Sequence, residues 1–208
     1  MNSLIRELTD VLCPGMSIPA EFQHLYDWIT ANGNTSLHNG RTSGWLAMPG
    51  EQAATTGIEF RADGTELLEH WLGTEDRAVI QRLCVFAITG AEGSMAAFWL
   101  DDDGGQRIVH MGSGSGSTTV CLLGREPLDF LRLLAIGYDE LCWSEDWDEP
   151  PSDEDGHPVS ADSSYRRWLV TEYGVTVPRT GLDIATPTEM DDEDPADPFA
   201  RWLTTIEN

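Results

Sequence analysis

From Leu83 to Ile88 the chain is apolar at every position. Leu83, Val85, Ala87 and Thr89 alternate with Cys84, Phe86 and Ile88, so an extended segment here is hydrophobic on both faces. Such a run, halted at Gly90, predicts a central strand of a sheet. The segments that follow share its period of two. Met95 to Leu100 reads as a strand, Asp101-Asp102-Asp103-Gly104-Gly105 as a turn, and Arg107 to Met111 as the returning strand. Asp and Gly suit that turn because they tolerate the positive φ angles of tight hairpins. A glycine-serine loop, Gly112 to Ser117, leads to a further strand, Thr118 to Leu123. These connections are too short for the crossovers that parallel strands require, so the sheet is expected to be mostly antiparallel.

Helical spacing frames the strands. Leu4, Ile5, Leu8, Val11 and Leu12 form one stripe that ends at Pro14-Gly15. A second helix is expected with Ser17 as its N-cap and Pro19 in its first turn, burying Phe22, Leu25, Tyr26 and Ile29 and stopping at Asn32-Gly33. Residues 33 to 57, rich in Gly, Ser, Thr and Asn, read as an irregular crossing with an apolar insert at Trp45 and Leu46. Helical character resumes from Thr65 to Leu72, where Leu67, Leu68, Trp71 and Leu72 share a face. Glu126-Pro127 opens a later helix with Leu128, Phe130, Leu131, Leu134 and Ala135 turned inward. The order of elements predicts an α+β fold, a mostly antiparallel sheet flanked by helices.

Beyond Trp143 the composition changes. Two acidic, proline-bearing stretches, Glu145 to Asp162 and Glu189 to Asp197, each run into the same pattern of aromatic, any residue, Arg, Trp, Leu. The endings are Tyr165-Arg166-Arg167-Trp168-Leu169 and Phe199-Ala200-Arg201-Trp202-Leu203, with helices expected from about Ser164 to Tyr173 and from Pro198. The expected organisation is a domain over 1–143, an acidic linker over 144–163 and a helical C-terminal extension over 164–208. The Trp and Leu of each ending are expected to anchor the extension, and the carboxylates before them to stay exposed.

Together the two stretches hold 14 of the 36 acidic side chains. The formal net charge is -24, which repels nucleic acid and anionic membranes and steers in cationic partners. The candidate partner-binding residues are therefore Glu145, Asp146, Asp148, Glu149, Asp153, Glu154, Asp155, Asp191, Asp192, Glu193 and Asp194.

All 12 basic residues are arginine, and without lysine the chain has no Schiff-base or phosphate-loop lysine chemistry. Cys13, Cys84, Cys121 and Cys142 are far apart and form no CxxC pair, as expected of buried, reduced thiols in a cytoplasmic protein. No stretch is apolar enough for a membrane span. The five histidines show no HxH or HExxH grouping, and Asp101-Asp102-Asp103-Gly104 places its glycine too early for a calcium loop. There is no GxSxG elbow. Neither cofactor, metal nor catalytic residues are expected. The Gly112–Ser117 loop supports an alternative, a small-molecule or nucleotide-binding regulator or enzyme, although GxGxxG spacing fails there. A further alternative is a regulatory adaptor that presents Trp168 and Trp202 to a partner.

Several segments taken in order carry a resemblance. Ile18-Pro19-Ala20-Glu21-Phe22-Gln23-His24-Leu25-Tyr26-Asp27-Trp28 precedes the stop at Asn32-Gly33. Val85-Phe86-Ala87, Ala97-Phe98-Trp99-Leu100-Asp101 and Ile108-Val109-His110-Met111 make up a central block, and Pro127-Leu128-Asp129-Phe130-Leu131 closes it. Residues 1–143 in this order resemble the SMI1/KNR4 family of the SUKH superfamily, and the tail looks like the extension of its longer bacterial members. The resemblance implies a SUKH-like α+β binding scaffold without catalysis. Many bacteria use that scaffold as an immunity protein neutralising a cognate toxin, often a nuclease. It carries no site residues over to this chain.

Overall fold

In the computed structural model, which describes residues 2–50, 56–152, 157 and 163–206, strand follows strand across one sheet in chain order. The strands are β1 (Thr35–His38), β2 (Arg41–Gly44), β3 (Glu59–Gly64), β4 (Leu83–Ile88), β5 (Met95–Leu100), β6 (Gln106–Met111), β7 (Thr119–Leu122) and β8 (Thr188–Glu189). Every neighbouring pair is antiparallel. The helices are α1 (Ser3–Val11), α2 (Ala20–Ala31), α3 (Leu68–Leu72), α4 (Arg77–Ile80), α5 (Pro127–Leu134), α6 (Ser164–Tyr173) and α7 (Pro198–Thr204). The fold is α+β: an antiparallel sheet flanked by helices, with a helix at its C-terminal end.

The pleat divides the strand residues between two cores. Cys84, Phe86, Ala96, Phe98, Ile108 and Cys121 meet Leu8 of α1, Phe22 and Leu25 of α2, Phe130 and Leu131 of α5, and Tyr165 and Leu169 of α6. Phe22 lies at the centre of that layer, its ring 5.0 Å from Phe86, 5.2 Å from Phe98 and stacked 5.7 Å from Phe130. Leu83, Val85, Met95, Ala97, Trp99, Val109, Met111 and Val120 form the opposite core with Leu68 of α3 and Phe199 and Trp202 of α7. Strict alternation along β4 fails at one point. A register shift between Val85 and Ala87 puts Phe86 and Ala87 on the same side, which a period of two could not foresee.

The two aromatic-x-Arg-Trp-Leu endings dock on opposite faces of the sheet. On α6, Tyr165 is buried and its hydroxyl donates to Leu131 O at 2.9 Å, while half-buried Trp168 lies 5.5 Å from Trp28. On α7, Phe199 and Trp202 pack 5.4 and 5.6 Å from Trp99. The Arg82 guanidinium sits 4.7 Å from the Trp202 ring and pairs with Asp102 at 2.8 Å. Asp197 joins this helix to the sheet: one carboxylate oxygen caps Phe199 N and Ala200 N, and the other accepts Leu122 N at 2.9 Å.

Residues 33–57 differ most from expectation. Asn39 and Gly40, at φ 49° and 82°, turn β1 into β2, a two-residue hairpin in a stretch read as irregular. Its strands, Thr-Ser-Leu-His and Arg-Thr-Ser-Gly, lack apolar alternation, which hides the signal. β3, α4 and β8 were likewise not foreseen. Ser17 does not cap α2: Pro19 holds that position, and Ser17 N donates to Gln106 Oε1 instead. Leu67 points outward rather than sharing the buried face of α3. Trp147, inside the supposedly exposed acidic stretch, is fully buried.

Trp202→Ala removes an indole packed on Trp99 and Arg82 and is expected to cost about 3–5 kcal/mol in a urea-unfolding titration. Trp168→Ala, at a half-buried ring, is expected to cost clearly less. Equal losses would contradict the assignment of Trp202 as the deeper anchor.

Candidate functional site

After α5 the chain makes a bowed segment, Tyr138 to Ser152, tied down at several points. Leu141 N donates to Thr89 O at 3.0 Å, and Asp139 O accepts Gly57 N at 2.7 Å and the Thr56 hydroxyl at 3.0 Å. The Tyr138 hydroxyl donates to Glu149 O at 2.7 Å and accepts Gly181 N at 2.9 Å, closing the bow. Trp147 anchors the middle. Its indole faces Gly181, where an added Cβ would stand 2.8 Å from Trp147 Cγ, so only glycine permits the approach. With Trp147 turned into the core, its neighbours Glu145, Asp146, Asp148 and Glu149 are all exposed.

The bow encloses an open cavity of about 380 Å³ whose walls include Asp139, Glu140, Glu145, Asp146, Asp148 and Glu149, together with Tyr138 and Trp143. Among the described residues, no basic side chain lines it. Trp143 is 42% exposed, and its indole Nε1 donates to Glu140 Oε2 at 3.0 Å. Glu140 is itself held by Ala91 N at 2.7 Å. The aromatic wall is thus fixed in orientation. Carboxylates around a fixed indole suit a guanidinium or ammonium group, which gains ion pairs from the first and a cation–π contact from the second. Burial, then nearby carboxylates including Asp148 and Asp146, raise the Tyr138 hydroxyl pKa. Burial, followed by the hydrogen bond and charge of Glu140, pushes the Cys142 thiol up as well, which suppresses formation of the reactive thiolate.

A buried polar network backs the site. Thr119 Oγ1 and Ser144 Oγ are 2.6 Å apart, linking β7 to the bow. His110 is fully buried, with Nδ1 3.0 Å from Thr119 O and Nε2 3.1 Å from Thr89 Oγ1. A carbonyl can only accept, so Nδ1 carries the proton and Nε2 accepts from the Thr89 hydroxyl. Burial lowers the imidazole to about 4, and it is neutral at neutral pH.

Of the acidic residues singled out from the sequence, Glu145, Asp146, Asp148 and Glu149 line the cavity together. Asp153, Glu154 and Asp155 lie outside the described residues. Asp191, Asp192, Glu193 and Asp194 are exposed on the connection between β8 and α7 and do not line it. Asp139, Glu140 and Trp143 escaped sequence reading. The hint was an aromatic residue two positions before the acidic run.

The Gly112–Ser117 loop is closed on itself. Gly112 N donates to Thr119 O, Gly114 N to Ser117 O, Ser113 N to the Ser94 hydroxyl, and Gly116 N and Ser117 N to the Ser113 hydroxyl. Those four donors besides Ser113 N are spent within the hairpin, Ser113 N is spent on Ser94 beside β5, and Glu92 packs against Gly116. Among the described residues, no three of His, Cys, Asp or Glu are grouped so that they could hold a metal ion, and no helix is long and apolar enough to cross a membrane. All four cysteines are buried and free.

Fold and cavity together define an α+β protein with an acidic, aromatic-walled recess at one end of its sheet. No protein-family model, curated protein or solved structure matches the chain.

The His110 site generates a pH prediction. An unfolded histidine takes up its proton near pH 6.5, whereas the folded one resists until about 4. Stability from this residue is therefore complete above pH 6.5 and declines as pH falls towards 4, by about 3 kcal/mol in all. Urea unfolding across that range is expected to show a shallower pH slope for His110→Gln than for the wild type. Identical slopes would refute a buried neutral His110.

Proposed function

We propose that this chain is a non-enzymatic, cytoplasmic binding protein that neutralises a cationic partner, an immunity protein acting on a cognate toxin domain with a basic, nuclease-like surface. The observation that carries this reading is the cavity beside Trp143, in which, among the described residues, six carboxylates and no cation surround an exposed indole. A net charge of -24 supplies the long-range field that would speed such an encounter, and the local carboxylates would fix its register. The resemblance of residues 1–143 to the SMI1/KNR4 (SUKH) family supports the same reading. The regulator or enzyme built on the Gly112–Ser117 loop gains little from a loop in which the Gly112, Ser113, Gly114, Gly116 and Ser117 amides already donate to protein acceptors.

The test starts from the gene immediately upstream. If it encodes a secreted protein with a C-terminal toxin domain, that domain is co-expressed with this chain and the complex is isolated. Replacing Glu145, Asp146, Asp148 and Glu149 by their amides is expected to slow association and flatten its dependence on salt, leaving the unfolding midpoint nearly unchanged. Trp143→Ala is expected to weaken the complex by about 0.5–2 kcal/mol. An association rate identical at low and high ionic strength would overturn the electrostatic account.

A further inference from the structure

A second concavity lies over the other core, between α3, the loop after β6, and α7. It is a hollow of about 210 Å³ walled by Trp71, Leu72, Met190, Leu203 and Ile206. All five side chains remain partly exposed, an apolar patch left open beside the buried Trp202. The hollow is preformed, because Trp71 Nε1 donates to Gly112 O at 2.7 Å and fixes the indole against the loop. His70 lines this hollow and also a wider open depression of about 510 Å³, whose walls include Glu66, Glu69 and Glu75. Arg41 pairs with Glu66, while Glu69 and Glu75 are exposed and enter no ion pair among the described residues.

Size and charge together select the occupant. Sites for whole small molecules usually enclose about 300–1,000 Å³. The apolar hollow is smaller than that and suits one large side chain. The depression beside it is broad, open to solvent and negative, and suits a solvated cation that remains attached to something larger. An apolar anchor next to a basic residue is the chemistry of a peptide segment.

We propose that this apolar hollow and the acidic depression beside it form a docking site for a basic segment of a protein partner. One apolar side chain enters between Trp71 and Leu203, and a neighbouring arginine or lysine lies against Glu69 and Glu75. The site is separate from the recess beside Trp143 and stands whether or not a cationic domain docks there.

The test uses the full chain, with the Trp71 indole N–H followed by NMR and assigned through Trp71→Phe. The probe is acetyl-Arg-Leu-Arg-Gly-amide, titrated into the millimolar range beside two controls in which the Leu is replaced by Gly or both Arg by Glu. The Arg-Leu-Arg peptide is expected to shift the Trp71 resonance saturably, and both controls to bind much more weakly. The double change Glu69→Gln and Glu75→Gln, made at exposed positions that leave the core intact, is expected to weaken the peptide about five-fold. Leu203→Ser is expected to abolish binding, and should it fail to fold, the glutamine variant still decides. A Trp71 resonance that does not move, a glycine control that binds equally, or a glutamine variant that binds like the wild type would each overturn the proposal. Tryptamine binding as tightly as the peptide would overturn it too, marking a small-amine site instead.

Discussion

Hydrophobic packing on both sides of β4, β5 and β6 is the interaction on which everything else rests. Phe86 and Phe98 on one face, Val85 and Trp99 on the other, each need an apolar layer, and each large side chain withdrawn from water contributes about 1.5–3 kcal/mol. The helices divide accordingly. Before the central strands, α1 and α2 cover one face while α3 and α4 begin to cover the other; after them, α5 and α6 go to the first face and α7 to the second. The path of the tail follows from the same need, since its two aromatic-x-Arg-Trp-Leu endings must reach cores on opposite sides of one sheet.

Acidic surface and apolar core meet most closely at Trp147. Flanking carboxylates favour solvent, the indole favours the core, and Gly181 leaves room for it. The result is a bow of chain with charge outside and an anchor inside, stiffened by the Tyr138 hydroxyl and the Thr119–Ser144 contact. Crowding carboxylates around Trp143 raises their mutual repulsion. Exposure to water keeps that cost moderate, and a cationic partner would relieve it.

Long apolar segments made the fold class readable. The run from Leu83 to Ile88, the hairpin about Asp101 to Gly105 and the stripe of α5 each repeat a period long enough to identify an element without its neighbours. The β1–β2 hairpin was hidden because its residues are polar and its pairing is set by the Asn39-Gly40 turn. β8 was hidden because two residues carry no period; it exists because Asp197 and α7 bring that segment alongside β7. The acidic recess was half legible. Charge is a local property of sequence and pointed to Glu145 through Glu149, but Glu140 and Trp143 join them only through hydrogen bonds to Ala91 and to one another. The Ala91 contact is tertiary, and the Glu140–Trp143 contact, though only three residues long, belongs to no sequence pattern that would announce it.

The placement of α7 matters for how the chain is made. A chain emerging from its N-terminus can pair β1 through β7 in succession, each with the strand before it, using contacts that are short in sequence. Val85, Ala97, Trp99 and Val109 must nevertheless wait for Phe199 and Trp202, about a hundred residues later in synthesis, before their side of the sheet is sealed. Throughout that interval the nascent protein presents a half-finished, sticky surface, a natural target for holding chaperones on the ribosome and the route by which a stalled or prematurely terminated chain would aggregate.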